Sequence, residues 1–290
     1  MNDFVIVTDS SADLNLDLVR ETGVEVLPLT FLMGDKSYEN HPDNREMDPH
    51  TFYNKMREGE TATTSAVNVG QYTDFCESYL EAGKDILILA FSSGLSATCR
   101  SAQLAAEDLS EKFPERKIYV VDTLCASLGQ GMLVWLAAQQ KQAGKTIDEV
   151  RDWAEANRGS VAHWFTVNDL MHLQRGGRVS AATALVGTML SIKPVMHVDD
   201  EGHLIKVTTA RGRKASLMAL VDEMEKSAID PQNQTVFISH GDCPEDAQTV
   251  ADEIAKRFGV KDFRINHVGP VIGAHTGPGV VALFFVGKER

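Results

Sequence analysis

The chain has 290 residues, 43 % of them hydrophobic and 24 % charged, which is the make-up of a folded globular protein rather than a disordered or fibrous one. Its net charge of −13 leaves no basic surplus to neutralise phosphates, which disfavours nucleic acid and anionic membrane surfaces as partners. No apolar run approaches the length of a bilayer crossing, and the four cysteines contain no C-x-x-C pair, which argues against a zinc knuckle or a redox motif.

The start, Met1-Asn2-Asp3-Phe4, lacks the basic residues and apolar core of a signal peptide, so a reduced, cytoplasmic protein is expected. Phe4–Val7 reads as a strand running into Thr8-Asp9-Ser10-Ser11, followed by a helix over Leu14–Thr22 closed by Gly23 and a strand over Val24–Leu29. Asp48-Pro49 has the N-cap and first-position residues of a helix. In Asn68–Ala82 the residues Tyr72, Phe75, Cys76, Tyr79 and Leu80 keep the spacing of one helix face. Ile86–Phe91 and Ile118–Val121 are continuous apolar runs, as in strands buried on both faces, with a helix over Ala97–Phe113 between them. Further helices are expected over roughly Leu128–Ala143 and after the capping box Thr146-Ile147-Asp148-Glu149. This alternation implies a mainly parallel sheet flanked by helices.

Beyond about Gly159 the pattern changes. Helices are expected over Ala182–Ser191, Lys214–Ser227 and Pro244–Phe258. Strands Val195–Val198 and Leu204–Thr208 flank the turn Asp199-Asp200-Glu201-Gly202, and Thr235–Ser239, Asp262–His267 and Val280–Val286 add more. The expected fold class is α/β in two domains, residues 1–160 with the parallel sheet and residues 161–290 with a mixed sheet and helices.

Polar residues gather where strands of the first half end, at Asp9-Ser10-Ser11, Ser92-Ser93 and Asp122-Thr123. In open parallel sheets that edge carries ligands, although the same residues also serve as helix caps. Ser96, in Ser92-Ser93-Gly94-Leu95-Ser96, falls at a helix start, where unpaired N–H groups and the dipole favour an anion. Thr63-Thr64-Ser65 reads as a second hydroxyl cluster ahead of a helix. Together the two clusters suit a carboxylate held beside apolar material, where a cation is costly to desolvate.

The stretch Gly269–Gly279 is dense in Gly and Pro and is expected to be irregular. Its His275 is either a donor to an anion, an acid/base group or a surface histidine. In Leu173-Gln174-Arg175-Gly176-Gly177-Arg178 two glycines stand where they could wrap a phosphate, and Arg211-Gly212-Arg213-Lys214 offers spare positive charge to a partner. The P-loop pattern, G-x-G-x-x-G and the G-x-S-x-G elbow are absent, and the histidines are scattered, so neither a nucleotide site, a serine hydrolase nor a metal site is expected.

These marks, in this order and spacing, resemble the DegV family of bacterial fatty-acid-binding proteins. They are Thr8-Asp9-Ser10-Ser11-Ala12-Asp13-Leu14, Thr64-Ser65, the Ser92–Ser96 segment, Leu173–Arg178, Ile192-Lys193-Pro194 and Gly273–Gly279. The resemblance implies a long-chain fatty acid between the two domains, its tail in an apolar tunnel, with no other cofactor. It implies carboxylate contacts from Thr64, Ser96 and His275, with Ser65 and Ala97 as further ligand-binding residues and Arg178 and Arg211 on the side of a partner or its phosphate. The implied partner is a separate, dihydroxyacetone-kinase-like fatty-acid kinase, so the chain itself is expected to be a carrier and not an enzyme.

The chain departs from the family's usual Thr-Ser-Gln-Pro-Ser with Thr64-Ser65-Ala66-Val67-Asn68, and from its usual Gly with Ala97. Leu185, Val186, Met189 and Leu190 read as tunnel lining or plain core, and the polar loop Glu39–Asp48 as a cover for part of the tunnel mouth. Two other readings stand beside the carrier: a small-carboxylate or phosphate-ester enzyme using His275 as acid/base, and a sensing or structural protein with lipid as permanent filler.

Overall fold

The computed structural model describes residues 3–168, 170–179 and 191–290. Its first strands are β1 (Phe4–Asp9), β2 (Glu25–Leu27), β3 (Thr30–Met33), β4 (Lys36–Glu39), β5 (Ala62–Ser65), β6 (Asp85–Ala90) and β7 (Ile118–Asp122). Four of them form a parallel sheet in the order β2-β1-β6-β7. Along β1 and β6 successive residues serve opposite faces. Val5, Val7, Ile86 and Ile88 pack under helices α3 (Val69–Glu81) and α4 (Thr98–Lys112), while Phe4, Ile6, Leu87 and Leu89 join the core on the other side. Burial on both faces explains why these strands read as unbroken apolar runs.

A six-stranded mixed sheet follows, built from β8 (Val161–Thr166), β9 (Ile192–Val198), β10 (Leu204–Arg211), β11 (Thr235–His240), β12 (Asp262–His267) and β13 (Val281–Val286). Its order is β10-β9-β8-β13-β11-β12, antiparallel throughout except for β11 beside β12. One face carries the helices Arg213–Ser227 and Pro244–Phe258. The other face meets α5 (Leu128–Gln142), which also packs on the short α1 (Leu16–Thr22) and on the turn after β1. Because α5 lies between both sheets it is buried around its circumference from Leu128 to Trp135.

Two expectations are corrected. Thr63-Thr64-Ser65 is not a turn before a helix but part of β5, which pairs antiparallel with β3 in a small sheet of order β4-β3-β5; Thr64 stands opposite Phe31. Backbone pairing, not a cap, therefore fixes Thr64, and helix α2 (Pro49–Arg57) sets Phe52 edge-on against Phe31. The Gly269–Gly279 stretch is not irregular throughout: Pro270–Thr276 is a helix with Gly269 as its cap and Pro270 at its first position, where a missing N–H costs nothing. Met171–Arg175 forms a short helix ahead of Gly176 and Gly177. The expected Ala182–Ser191 helix and its Leu185, Val186, Met189 and Leu190 stripe lie outside the described residues, except for Ser191.

Gly129, inside α5, brings the helix close against the mixed sheet. A methyl group there would overlap His163 Nε2 and lie 2.7 Å from Phe284 Cδ1. Gly129→Ala is expected to destabilise the protein by about 1–3 kcal/mol through overpacking, read as a lower urea midpoint. An unchanged midpoint would show that this contact is loose.

Candidate functional site

A cavity of about 240 Å³ lies between one face of the mixed sheet and the carboxyl edge of the parallel sheet, where the segments after β6 and β7 line it. Phe165, Val198, Leu204, Ala282 and Phe284 give it an apolar wall from the mixed sheet, and Phe91 and Leu95 another from the end of β6. Thr64, Ser65, Ser96, Ala97, Arg178 and His275 all line it. Arg211 does not: it is exposed at the end of the edge strand β10, opposite Ile192.

The three serines after β6 have different tasks. Ser92 is buried and donates to the Gly202 carbonyl at 2.9 Å, tying this turn to the β9–β10 hairpin. Gly94 lies so close to that hairpin that a Cβ would stand 2.8 Å from the Glu201 carbonyl oxygen. Ser93 is exposed. Ser96 lines the cavity, accepts from the Thr98 N–H at 3.2 Å and lies 2.9 Å from the Thr98 hydroxyl. The cap residue of α4, Ala97, supplies no side-chain bond, so the start of α4 brings backbone donors and its positive dipole end to the cavity.

Across the cavity Thr64 Oγ1 and His275 Nε2 are 2.8 Å apart. Burial, with Arg178 adding to it, pulls His275 down to about 4, so its ring is neutral at pH 7. Arg178 is half-buried and donates from Nε to the Leu95 carbonyl at 3.1 Å and from Nη1 to the Gly176 carbonyl. It thus spans the mouth from the Ser96 turn to the Gly176 turn. In that segment Gly177 has φ +72 and turns the chain, while Gly176 lies directly against the His275 ring. The Glu39–Asp48 loop does not line the cavity. It folds on itself, with His41 Nε2 2.9 Å from Glu39 Oε2, so the expected cover over the mouth is not formed by it.

Two groups escaped the sequence reading. His163, on β8, lines the floor; its Nδ1 bonds the Val161 carbonyl at 2.7 Å and its Nε2 accepts from Ala126 N at 3.4 Å, and burial keeps it neutral. Asp13 is buried just past β1. It accepts from Gly269 N at 2.9 Å and from the Ser127 hydroxyl, which itself lies 2.9 Å from the Ser239 hydroxyl. One carboxyl so joins the start of α5 to the start of the His275 helix. An Asp set among apolar residues just beyond a buried strand was the available signal.

The model of the DegV family, described as "Uncharacterised protein, DegV family", matches residues 3–288. The chain belongs to the DegV family. A DegV domain-containing protein of Clostridium perfringens is 47 % identical over 290 residues, covering 100 % of this chain and 99 % of its own. A Thermus thermophilus structure described as fatty acid binding of a DegV family protein is 31 % identical, with a TM-score of 0.86 over 98 % of this chain and 99 % of that one. A Thermotoga maritima structure, described as revealing fatty acid binding function, is 27 % identical with a TM-score of 0.84 over 99 % and 100 %. No helix among the described residues of this DegV chain is long and apolar enough to cross a membrane.

Burial pushes Asp13 up to about 7, against the opposing bonds from Ser127 and Gly269. Its folded-state value is above its unfolded one, so its contribution to stability is complete below about pH 4 and is lost as pH rises through about 7. Asp13→Asn cannot ionise. Its stability relative to the parent should therefore rise by roughly 2–3 kcal/mol between pH 5 and pH 8 in urea titrations. The same difference at both pH values would show that Asp13 does not titrate in this range.

Proposed function

We propose that this protein binds a long-chain fatty acid, with the carboxylate held by Thr64, Ser65, Ser96 and the start of α4 at Ala97, His275 backing Thr64, and the tail in the cavity between the sheets. The observation that carries the proposal is one cavity whose walls are apolar and whose hydroxyl groups include the Thr64–His275 pair. The relatives described as binding fatty acids give it further support. Each buried methylene contributes about 0.8 kcal/mol, so the tail supplies most of the affinity and the hydroxyls set direction.

A ring titrating near 4 is a poor general base at neutral pH, which favours His275 as a hydrogen-bonding group over the acid/base reading. The carrier reading includes delivery of the acid to a separate dihydroxyacetone-kinase-like fatty-acid kinase. In it Arg178, the one Lys or Arg among the described lining residues, meets the phosphate side of the product, and exposed Arg211 meets the partner.

Solvent extraction of the purified protein followed by mass spectrometry should release fatty acid, and delipidated protein should take up palmitate or oleate. No lipid and no uptake would sink the proposal. Thr64→Val and Ser96→Ala are each expected to weaken binding of the acid by roughly tenfold while leaving the methyl ester nearly unaffected. Equal losses for both ligands would mean that these hydroxyls do not read the carboxylate. Arg211→Glu should leave fatty-acid affinity unchanged and slow acyl-phosphate formation in a reconstituted kinase assay; an unchanged rate would remove Arg211 from the partner surface.

A further inference from the structure

The Gly176–His275 contact has an unusual cause. Gly176 sits at φ −74 and ψ −8, a conformation open to any residue, so backbone geometry does not ask for glycine there. Space does. A Cβ on Gly176 would overlap His275 Nδ1 and stand 3.0 Å from Cε1 and 3.1 Å from Cγ. The adjacent Gly177 is the reverse case, with φ +72 and nothing within 4 Å of a Cβ. The partner helix repeats the contact in mirror fashion. A Cβ on Gly277, which closes the Pro270–Thr276 helix, would overlap the ring of His172 on the Met171–Arg175 helix. Each short helix thus lays a histidine on the glycine that ends the other.

With its ring seated this way, His275 has two unlike nitrogens. Nε2 meets Thr64 Oγ1 at 2.8 Å. Nδ1 is buried against Gly176 and meets no hydrogen-bond partner among the described residues. A buried N–H without an acceptor is costlier and rarer than an under-used acceptor, so the proton of the neutral ring belongs on Nε2. Nε2–H then donates to Thr64 Oγ1. The Thr64 hydroxyl proton is left to point away from His275.

We propose that Gly176 is a positioning residue for head-group binding: by seating the His275 ring so that only Nε2 has a partner, it fixes the Nε2–H tautomer and turns the Thr64 hydroxyl proton toward the bound carboxylate. This deepens the fatty-acid reading and rests on it for the identity of the head group, but not for the tautomer. A ring free to rotate, or protonated on Nδ1, would take the Thr64 proton for itself and present oxygen lone pairs to an anion. The second glycine–histidine contact, Gly277 on His172, holds the two short helices together and keeps the seat in place.

The test uses full-length protein labelled with 15N-histidine, with and without oleate, and long-range 1H–15N correlation to read the His275 tautomer. The ligand-free parent should show Nε2–H. Gly176→Ala should lose that single tautomer and reduce the preference for oleate over methyl oleate by roughly tenfold. In a His275→Ala background, where the ring is gone, adding Gly176→Ala should change neither thermal stability nor that preference. An Nδ1–H tautomer in the parent overturns the proposal, as does an unchanged tautomer in Gly176→Ala. Equal damage by Gly176→Ala in both backgrounds, or failure of the double variant to fold, overturns it as well, because the glycine would then serve something other than His275. Failure of the parent to bind oleate refutes the fatty-acid reading alone, since the tautomer is read without ligand.

Discussion

The whole molecule is arranged around a helix whose first two turns have no exposed face. From Leu128 to Trp135 every residue of α5 is buried, because the parallel sheet's neighbours lie on one side of it and the mixed sheet on the other. Trp135 packs edge-on against Phe237 at 5.6 Å, and Gly129 and Gly131 bring the helix backbone against His163 and the Ala12 carbonyl. Such a helix sets the distance between the sheets to within a methyl group, since tightly packed interiors give way little. The cavity lies just beyond its first turn, with Ala126 and Ser127 in the lining. The start of α5 thereby fixes where this part of the cavity wall stands.

Around that cavity the described polar groups are arranged without a free charge. His163 and His275 are neutral because burial disfavours their cationic forms. Arg178 keeps its charge but satisfies it with the carbonyls of Leu95 and Gly176, one on each side of the mouth. Asp9 and Asp13, close to the same edge, are both pushed up by burial, so each is less ready to ionise than an exposed aspartate. An anion brought here meets hydroxyls, a helix start and a neutral imidazole. Those groups favour one orientation while demanding little desolvation of the protein.

Much of this was readable along the chain, and the rest failed for identifiable reasons. The strands of the parallel sheet announced themselves as apolar runs because both faces are covered, and α3 showed its stripe because only one face is. The small sheet went unseen since Ala62–Ser65 is neither apolar nor alternating: its pairing with Thr30–Met33 is a long-range fact, and tertiary context decides for such a strand. Pro270–Thr276 was hidden by glycines that serve packing. Gly273 lies under Tyr53, whose hydroxyl bonds the Val268 carbonyl at 2.8 Å. Thr64, Ser96 and His275 were each legible as residue types near suitable ends. Their meeting, and above all the pressing of His275 onto Gly176, depends on which of two adjacent glycines has an ordinary φ, and no local pattern carries that.

The residues at which the chain departs from the usual family pattern have local structural roles of their own. Ala97 replaces a glycine, yet its φ of −74 and ψ of −3 lie in the right-handed region, so the methyl group brings no strain to the turn beside Ser96. Asn68 stands where serine is usual and does the same work: its side chain accepts from Gln71 N at 3.0 Å and Gln71 answers to Asn68 N at 3.0 Å, a complete capping box. Val67, in place of proline, is 1 % exposed and packs into the core under α3 and α4, so burial fixes the segment that proline would fix by its ring. Ala66 remains exposed at the cavity, a short apolar side chain between Ser65 and that anchor. In this chain Asn68 caps a helix, Val67 anchors the segment and Ala97 leaves the turn unstrained. The chain therefore holds Thr64 and Ser96 at the cavity with a different set of side chains around them.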